Sequence, residues 1–115
     1  MAGLIISERQ VGEVTILDLS GDITFGEGNI ALRNAIRRVI SVGKKKILLN
    51  LGSVFYVDSS GIGELVSGFI AVTRVDGELK LSNLSQRIRD LLAITHLLIV
   101  FDVFDTEVDA LDNFN

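Results

Sequence analysis

The segment Ile47-Leu48-Leu49-Asn50-Leu51-Gly52-Ser53-Val54-Phe55-Tyr56-Val57-Asp58-Ser59-Ser60-Gly61-Ile62-Gly63-Glu64-Leu65 decides how the chain is read. Its first five residues are apolar on both faces of an extended chain, the pattern of a strand buried inside a sheet that helices cover. A short extended segment, Val54 to Val57, follows. Past Ser60, apolar residues recur at helical spacing through Ile62, Leu65, Val66, Phe69 and Val72, with Thr73 on the same stripe. Asp58, Ser59, Ser60 and Gly61 therefore stand where a strand hands over to a helix.

The same alternation extends outward in both directions. Upstream, Leu4 to Glu8 and Val14 to Leu19 read as two strands of a hairpin around Gln10-Val11-Gly12-Glu13. Thr24 and Glu27 have capping-box spacing, and Leu32, Ala35, Ile36, Val39 and Ile40 mark a helix that ends near Gly43. Downstream, Asp76-Gly77 turns the chain into a strand over Glu78 to Asn83. Ser85 then caps a helix with Ile88, Leu91 and Leu92 inside, Ile99 to Val103 forms a last strand, and Glu107 to Phe114 a short terminal helix. The expected class is α/β: an N-terminal hairpin, then βαβ units, building a mixed, mostly parallel sheet of four to five strands with helices packed against it.

Composition narrows the function. The chain has 115 residues, 48% hydrophobic and 23% charged, without proline, repeat or linker-like shift, so one domain over residues 1–115 is expected. No apolar run approaches the ~20 residues of a membrane helix, and the start MAGLIISERQ does not look like a leader, so the expected place is the cytoplasm, without membrane insertion. The absence of cysteine excludes disulfides and thiolate metal sites. A net charge of -4 opposes broad nucleic-acid binding. Lys44-Lys45-Lys46 with Arg33, Arg37 and Arg38 reads as a solvated helix end and loop, and the carboxylates from Asp102 to Asp112 as solvated faces.

The Ser-Ser pair has two readings at this point, a helix cap or a functional loop. Catalytic readings lack their partners. A nucleophile elbow needs a glycine two positions before its serine, but Val57 stands before Ser59. His96 is the single histidine and sits at the end of a helical pattern, which leaves a Ser-His-Asp arrangement or hydrolase poorly supported. Neither phosphate-cradling nor dinucleotide glycine spacing is present around Gly61, Gly63 and Gly68. What remains is chemistry in which a serine is substrate: a phosphate would add about -1.5 to -2 charge beside Asp58 and repel a docked partner.

Asp58-Ser59-Ser60-Gly61-Ile62-Gly63 resembles the signature loop of anti-sigma factor antagonists, small bacterial proteins made of one STAS domain. Gly21-Asp22-Ile23-Thr24 resembles the family's segment after the second strand, and Ile47 to Leu51 its central strand. The resemblance implies a partner-switching cycle: the unmodified protein binds an anti-sigma factor serine kinase and frees a sigma factor, phosphorylation releases it, and a serine phosphatase resets it. It places the phosphoacceptor at Ser59 and a partner-binding loop at Asp22, Thr24, Asp58, Ser60, Gly61, Ile62 and Gly63, with no cofactor, no metal and no catalytic residue. Thr24 stands where many relatives carry Asp, and Glu64, where an aliphatic residue is common, adds first-turn negative charge near Ser59. The alternative is a non-switching STAS scaffold in a stress-signalling or lipid-transport complex.

Overall fold

A computed structural model describes residues 3–115. In chain order the elements are β1 (Leu4–Val11), β2 (Val14–Ile23), α1 (Glu27–Ser41), β3 (Lys46–Val57), α2 (Ser59–Arg74), β4 (Glu78–Ser82), α3 (Gln86–Ile94), β5 (Asp102–Phe104) and α4 (Glu107–Leu111). The five strands form one sheet in the order β1-β2-β3-β4-β5. The β1–β2 hairpin is antiparallel and the three later pairings are parallel, as the alternating elements predict. The hairpin's two-residue loop begins at Gly12, whose φ of 58° suits glycine.

Each parallel step moves one place in the same direction across the sheet, so right-handed crossovers put α1, α2 and α3 on one face. Their apolar stripes meet that face in the main core. Leu32, Ile36 and Val39 of α1, Leu65 and Val72 of α2 and Ile88 and Leu92 of α3 pack with Leu17, Leu19, Ile47, Leu49, Leu51, Leu79 and Leu81 of the strands. A smaller cluster on the other side joins Val14, Ile16 and Leu48 to Ala110, with Phe104, Leu111 and Phe114 against it. There Lys80 is buried: its ammonium lies 2.8 Å from Asp102 and over the rings of Phe104 and Phe114, at 5.7 and 5.2 Å.

Five expectations need correction. Val54 to Val57 is not a separate segment but the end of β3, which gains residues on β2 at two register shifts. Asn50 makes the first shift possible, since its Oδ1 accepts from the Gly52 amide at 3.0 Å while its Nδ2 donates to Asp18 at 2.8 Å. The Thr24–Glu27 capping box does not form. Gly26 is the N-cap, with φ 96° and ψ -126°, so Glu27 is the first helical residue and stands too early to reach back as a box partner.

The last strand is Asp102–Phe104 rather than Ile99 to Val103. The apolar run is used for tucking the chain under α3: the Leu97 amide donates to Leu92 O, Phe101 is buried edge-on against Phe69 at 5.7 Å, and Ile99 is left 91% exposed. The terminal helix stops at Leu111, and Phe114 packs from the turn beyond it. Thr73, read with the apolar stripe of α2, is exposed.

Candidate functional site

The two register shifts carry the end of β3 forward until Asp58 leaves the sheet and becomes the N-cap of α2. Its carboxylate is a junction. Oδ1 accepts from the Gly61 amide and from the Ser60 hydroxyl, both at 2.7 Å, and Oδ2 accepts from the Phe25 amide at 3.0 Å. Ser60 Oγ in turn accepts from Asn29 Nδ2 at 2.8 Å. A polar chain thus runs from α1 through Ser60 and Asp58 to the β2–α1 loop. The Ser60 hydroxyl, followed by the Phe25 amide, holds the Asp58 carboxyl below its ordinary value.

The paired serines are placed differently. Ser60 is half-buried, and its hydroxyl donates and accepts within the cap. Ser59 is the first residue of α2, exposed, and its hydroxyl has no hydrogen-bond partner among the described residues. Gly61 is buried where a Cβ would lie 2.0 Å from the Ile23 carbonyl oxygen, so only glycine lets α2 start this close to β2. Ile62 faces the core at 9% exposure and anchors the loop from below, whereas Gly63 is exposed with open space where a Cβ would go.

Two grooves flank the loop. One, of about 380 Å³, lies between the start of α2 and α3 and is lined by Tyr56, Val57, Asp58, Ser59, Arg87, Ile88, Asp90, Leu91 and Ile94. The other, of about 420 Å³, lies between the starts of α1 and α2, with Phe25, Ile30 and Arg33 on one side and Ser60, Gly63 and Glu64 on the other. Asp22 belongs to neither. It sits at the end of β2 opposite Tyr56 and lines a separate hollow with Ile5, Gly21 and Phe55. Thr24 is half-buried in the β2–α1 loop, where its carbonyl accepts from the Asn29 amide at 3.1 Å.

Glu64 differs from expectation. It is in the second turn of α2, buried to 7%, and paired with Arg33 at 2.7 Å, so its charge is matched instead of adding to the surface near Ser59. Of the remaining basic cluster, Arg38 and Lys44 pair with Glu8 and Lys46 with Glu13 on more exposed ground. His96 occupies an exposed turn beyond α3 with φ 60°, and among the described residues it makes no hydrogen bond to Ser59. Among those residues, too, no three His, Asp or Glu side chains group as a metal site, and no helix is long and apolar enough to cross a membrane.

Sequence reasoning missed Phe25, Asn29, Tyr56, Arg87 and Ile94. Phe25 is 86% exposed and Ile94 76%, an unusual placement for large apolar side chains on either side of one loop. An aromatic residue in the polar run Thr24-Phe25-Gly26-Glu27 was the one local signal for Phe25.

The family description of the STAS domain matches residues 6–110. The chain belongs to the STAS domain family. It is 43% identical over 53 residues to the anti-sigma-B factor antagonist of Bacillus subtilis, a stretch that is 46% of this chain and 49% of that one. It is 24% identical over 98 residues to the anti-sigma F factor antagonist of Paenibacillus polymyxa, covering 85% and 84%. Among solved structures, an anti-sigma factor antagonist of Mycobacterium paratuberculosis superposes with a TM-score of 0.85 at 21% identity, covering 96% of this chain and 93% of the other. The Bacillus cell fate determinant SpoIIAA in its phosphorylated form superposes at 0.72 with 24% identity, covering 94% and 97%. These two likenesses establish the fold, a STAS sheet with four helices. Within it, the cap of α2 is the place where this STAS chain exposes one hydroxyl and ties down the other.

Proposed function

We propose that this STAS chain is a phosphorylation-switched binding protein with Ser59 as its phosphoacceptor. The unmodified form binds an anti-sigma factor serine kinase in the cytoplasm and thereby frees a sigma factor. The kinase then transfers the γ-phosphoryl group of ATP to Ser59 Oγ, ADP leaves, and the hydroxyl proton passes to a base of the kinase. The modified chain lets go, and a serine phosphatase hydrolyses the phosphate to restore it. The chain, acting as one unit over residues 1–115, supplies the switched surface and no catalysis.

One observation carries this reading: Ser59 is exposed and, among the described residues, unpartnered at the first position of α2, while its neighbours Asp58 and Ser60 are both committed to the cap. A group added at Ser59 Oγ breaks no hydrogen bond of the fold, so the change acts on whatever is docked there. The dense negative charge would meet a partner surface that had packed against the bare loop, with a penalty in repulsion and desolvation. The test is incubation with a candidate kinase and ATP, followed by intact mass and binding measurements. Ser59→Ala is expected to bind the kinase and take no phosphate, and Ser59→Asp to bind more weakly. Phosphate on another residue, or native pull-downs that recover transporter components and no kinase, would overturn the reading.

A further inference from the structure

We infer that Arg87 is the residue that senses phosphorylation at Ser59, leaving the ring of Tyr56 to pair with the phosphate and so bridge α3 to the start of α2. The inference rests on the phosphoacceptor role proposed above. Ser59 and Arg87 line the same groove. Arg87 is in the first turn of α3, and its guanidinium carbon lies 5.9 Å from the centroid of the Tyr56 ring, three residues before Ser59. Arg9, Arg33, Arg38 and Arg89 each pair with a carboxylate, whereas among the described residues Arg37, Arg74 and Arg87 pair with none, and of these three Arg87 alone lines the groove of Ser59. The one cation lining the groove of the free hydroxyl is therefore held, among the described residues, only by an aromatic face, a weak partner at an exposed site.

The local carboxylates do not compete for it. Asp58 is occupied by Gly61, Ser60 and Phe25, and Asp90 Oδ1 accepts from the Gln86 side-chain Nε2 at 2.7 Å. A phosphate on Ser59 would offer the planar guanidinium what neither gives, an unengaged dianion that accepts two parallel N–H bonds. The groups facing that phosphate are then Asp58 and Asp90, which repel it, Tyr56, and Arg87, which attracts it. An ion pair there would also span the mouth of the groove and screen its apolar wall, Tyr56, Leu91 and Ile94, from a partner.

Phosphoserine incorporated at position 59 during synthesis allows a test without any kinase. The second ionisation of the phosphate is followed by phosphorus NMR in the folded protein, in Arg87→Gln, and in Arg89→Gln as a control of equal charge change whose arginine already pairs with Asp105. Because Asp58, Asp90 and the helix start are common to all three, the difference reports the arginine alone. Arg87→Gln is expected to raise the phosphate pKa by about 0.5 or more, with Arg89→Gln giving less than half of that. Arg87→Lys, which keeps the charge and loses the fork, is expected to fall between. No rise in Arg87→Gln, or an equal rise in Arg89→Gln, overturns the inference whether or not a kinase acts on Ser59; failure of every kinase to modify Ser59 would instead strike the proposed function and leave this result standing.

Discussion

Replacing Asp58 tests the polar junction directly, because one carboxylate performs two separable jobs. As N-cap it satisfies the Gly61 amide, and loss of an Asp cap costs about 1 kcal/mol. As a tie it accepts from the Phe25 amide 33 residues away; a hydrogen bond to a charged acceptor is worth about 1.5–3 kcal/mol, but Phe25 is exposed and water can replace most of it, leaving about 1 kcal/mol. Asp58→Ala is therefore expected to lose about 2 kcal/mol, which in urea unfolding lowers the midpoint by about 1 M and in heating lowers Tm by roughly 8 °C. Asp58→Asn should lose about half as much: its oxygen still caps α2, but its amide turns a donor toward the Phe25 N–H. Ser60→Ala removes the hydroxyl that links Asp58 to Asn29, and the double variant Asp58→Ala/Ser60→Ala should be less destabilised than the sum of the singles by about 1 kcal/mol. A loss under about 0.5 kcal/mol for Asp58→Ala, or strict additivity with Ser60→Ala, would refute the junction as described.

Gly61→Ala is expected to destabilise by more than about 3 kcal/mol, since its methyl meets the Ile23 carbonyl, whereas Gly63→Ala, with open space at its Cβ, should gain up to about 1 kcal/mol; paired urea titrations compare them. Asp58, held low by Ser60 and Phe25, and Asp18, held low by Arg9 and Asn50, both have folded pKa values beneath the ordinary 3.8. Their stabilisation is complete above that value and is lost as pH falls through the folded ones, so the advantage of wild type over Asp58→Ala should shrink below about pH 4 in acid unfolding series. Glu64→Leu is expected to change stability by less than about 1 kcal/mol, while Arg33→Met, which strands a buried carboxylate, should lower the urea midpoint more; the reverse order would show that the pair is not the match for Glu64.

Much of the architecture was legible because it is written in periodicity. The two-faced apolar run of β3 and the helical stripes of α1, α2 and α3 are local signals, and the right-handed crossover rule converts them into a sheet order. Errors arose where a residue served a purpose outside its own element. Leu97 to Phe101 has the composition of a strand, yet Phe101 is drawn to Phe69, so the run becomes a turn and β5 forms later with only three residues. Thr24 and Glu27 have the spacing of a capping box, but the φ of 96° that glycine permits at Gly26 delays the helix, and Glu27 starts it instead of closing the box.

The site was legible only in part, for a related reason. Its conspicuous residues, Asp58, Ser59 and Ser60, are adjacent in sequence, but the groups that divide the labour between the serines come from elsewhere: Asn29 is 31 residues from Ser60 and Phe25 is 33 from Asp58. Spacing rules see neighbours within a turn or two and cannot see these. Without Asn29, Ser60 would still donate to Asp58, but its oxygen would lose its donor; without the Phe25 amide, the second carboxylate oxygen of Asp58 would lose its own. The long-range bonds therefore engage Asp58 and Ser60, while the Ser59 hydroxyl takes no part among the described residues. A switch of this design depends less on the reactive serine than on its two neighbours, Asp58 and Ser60, being already engaged in the cap.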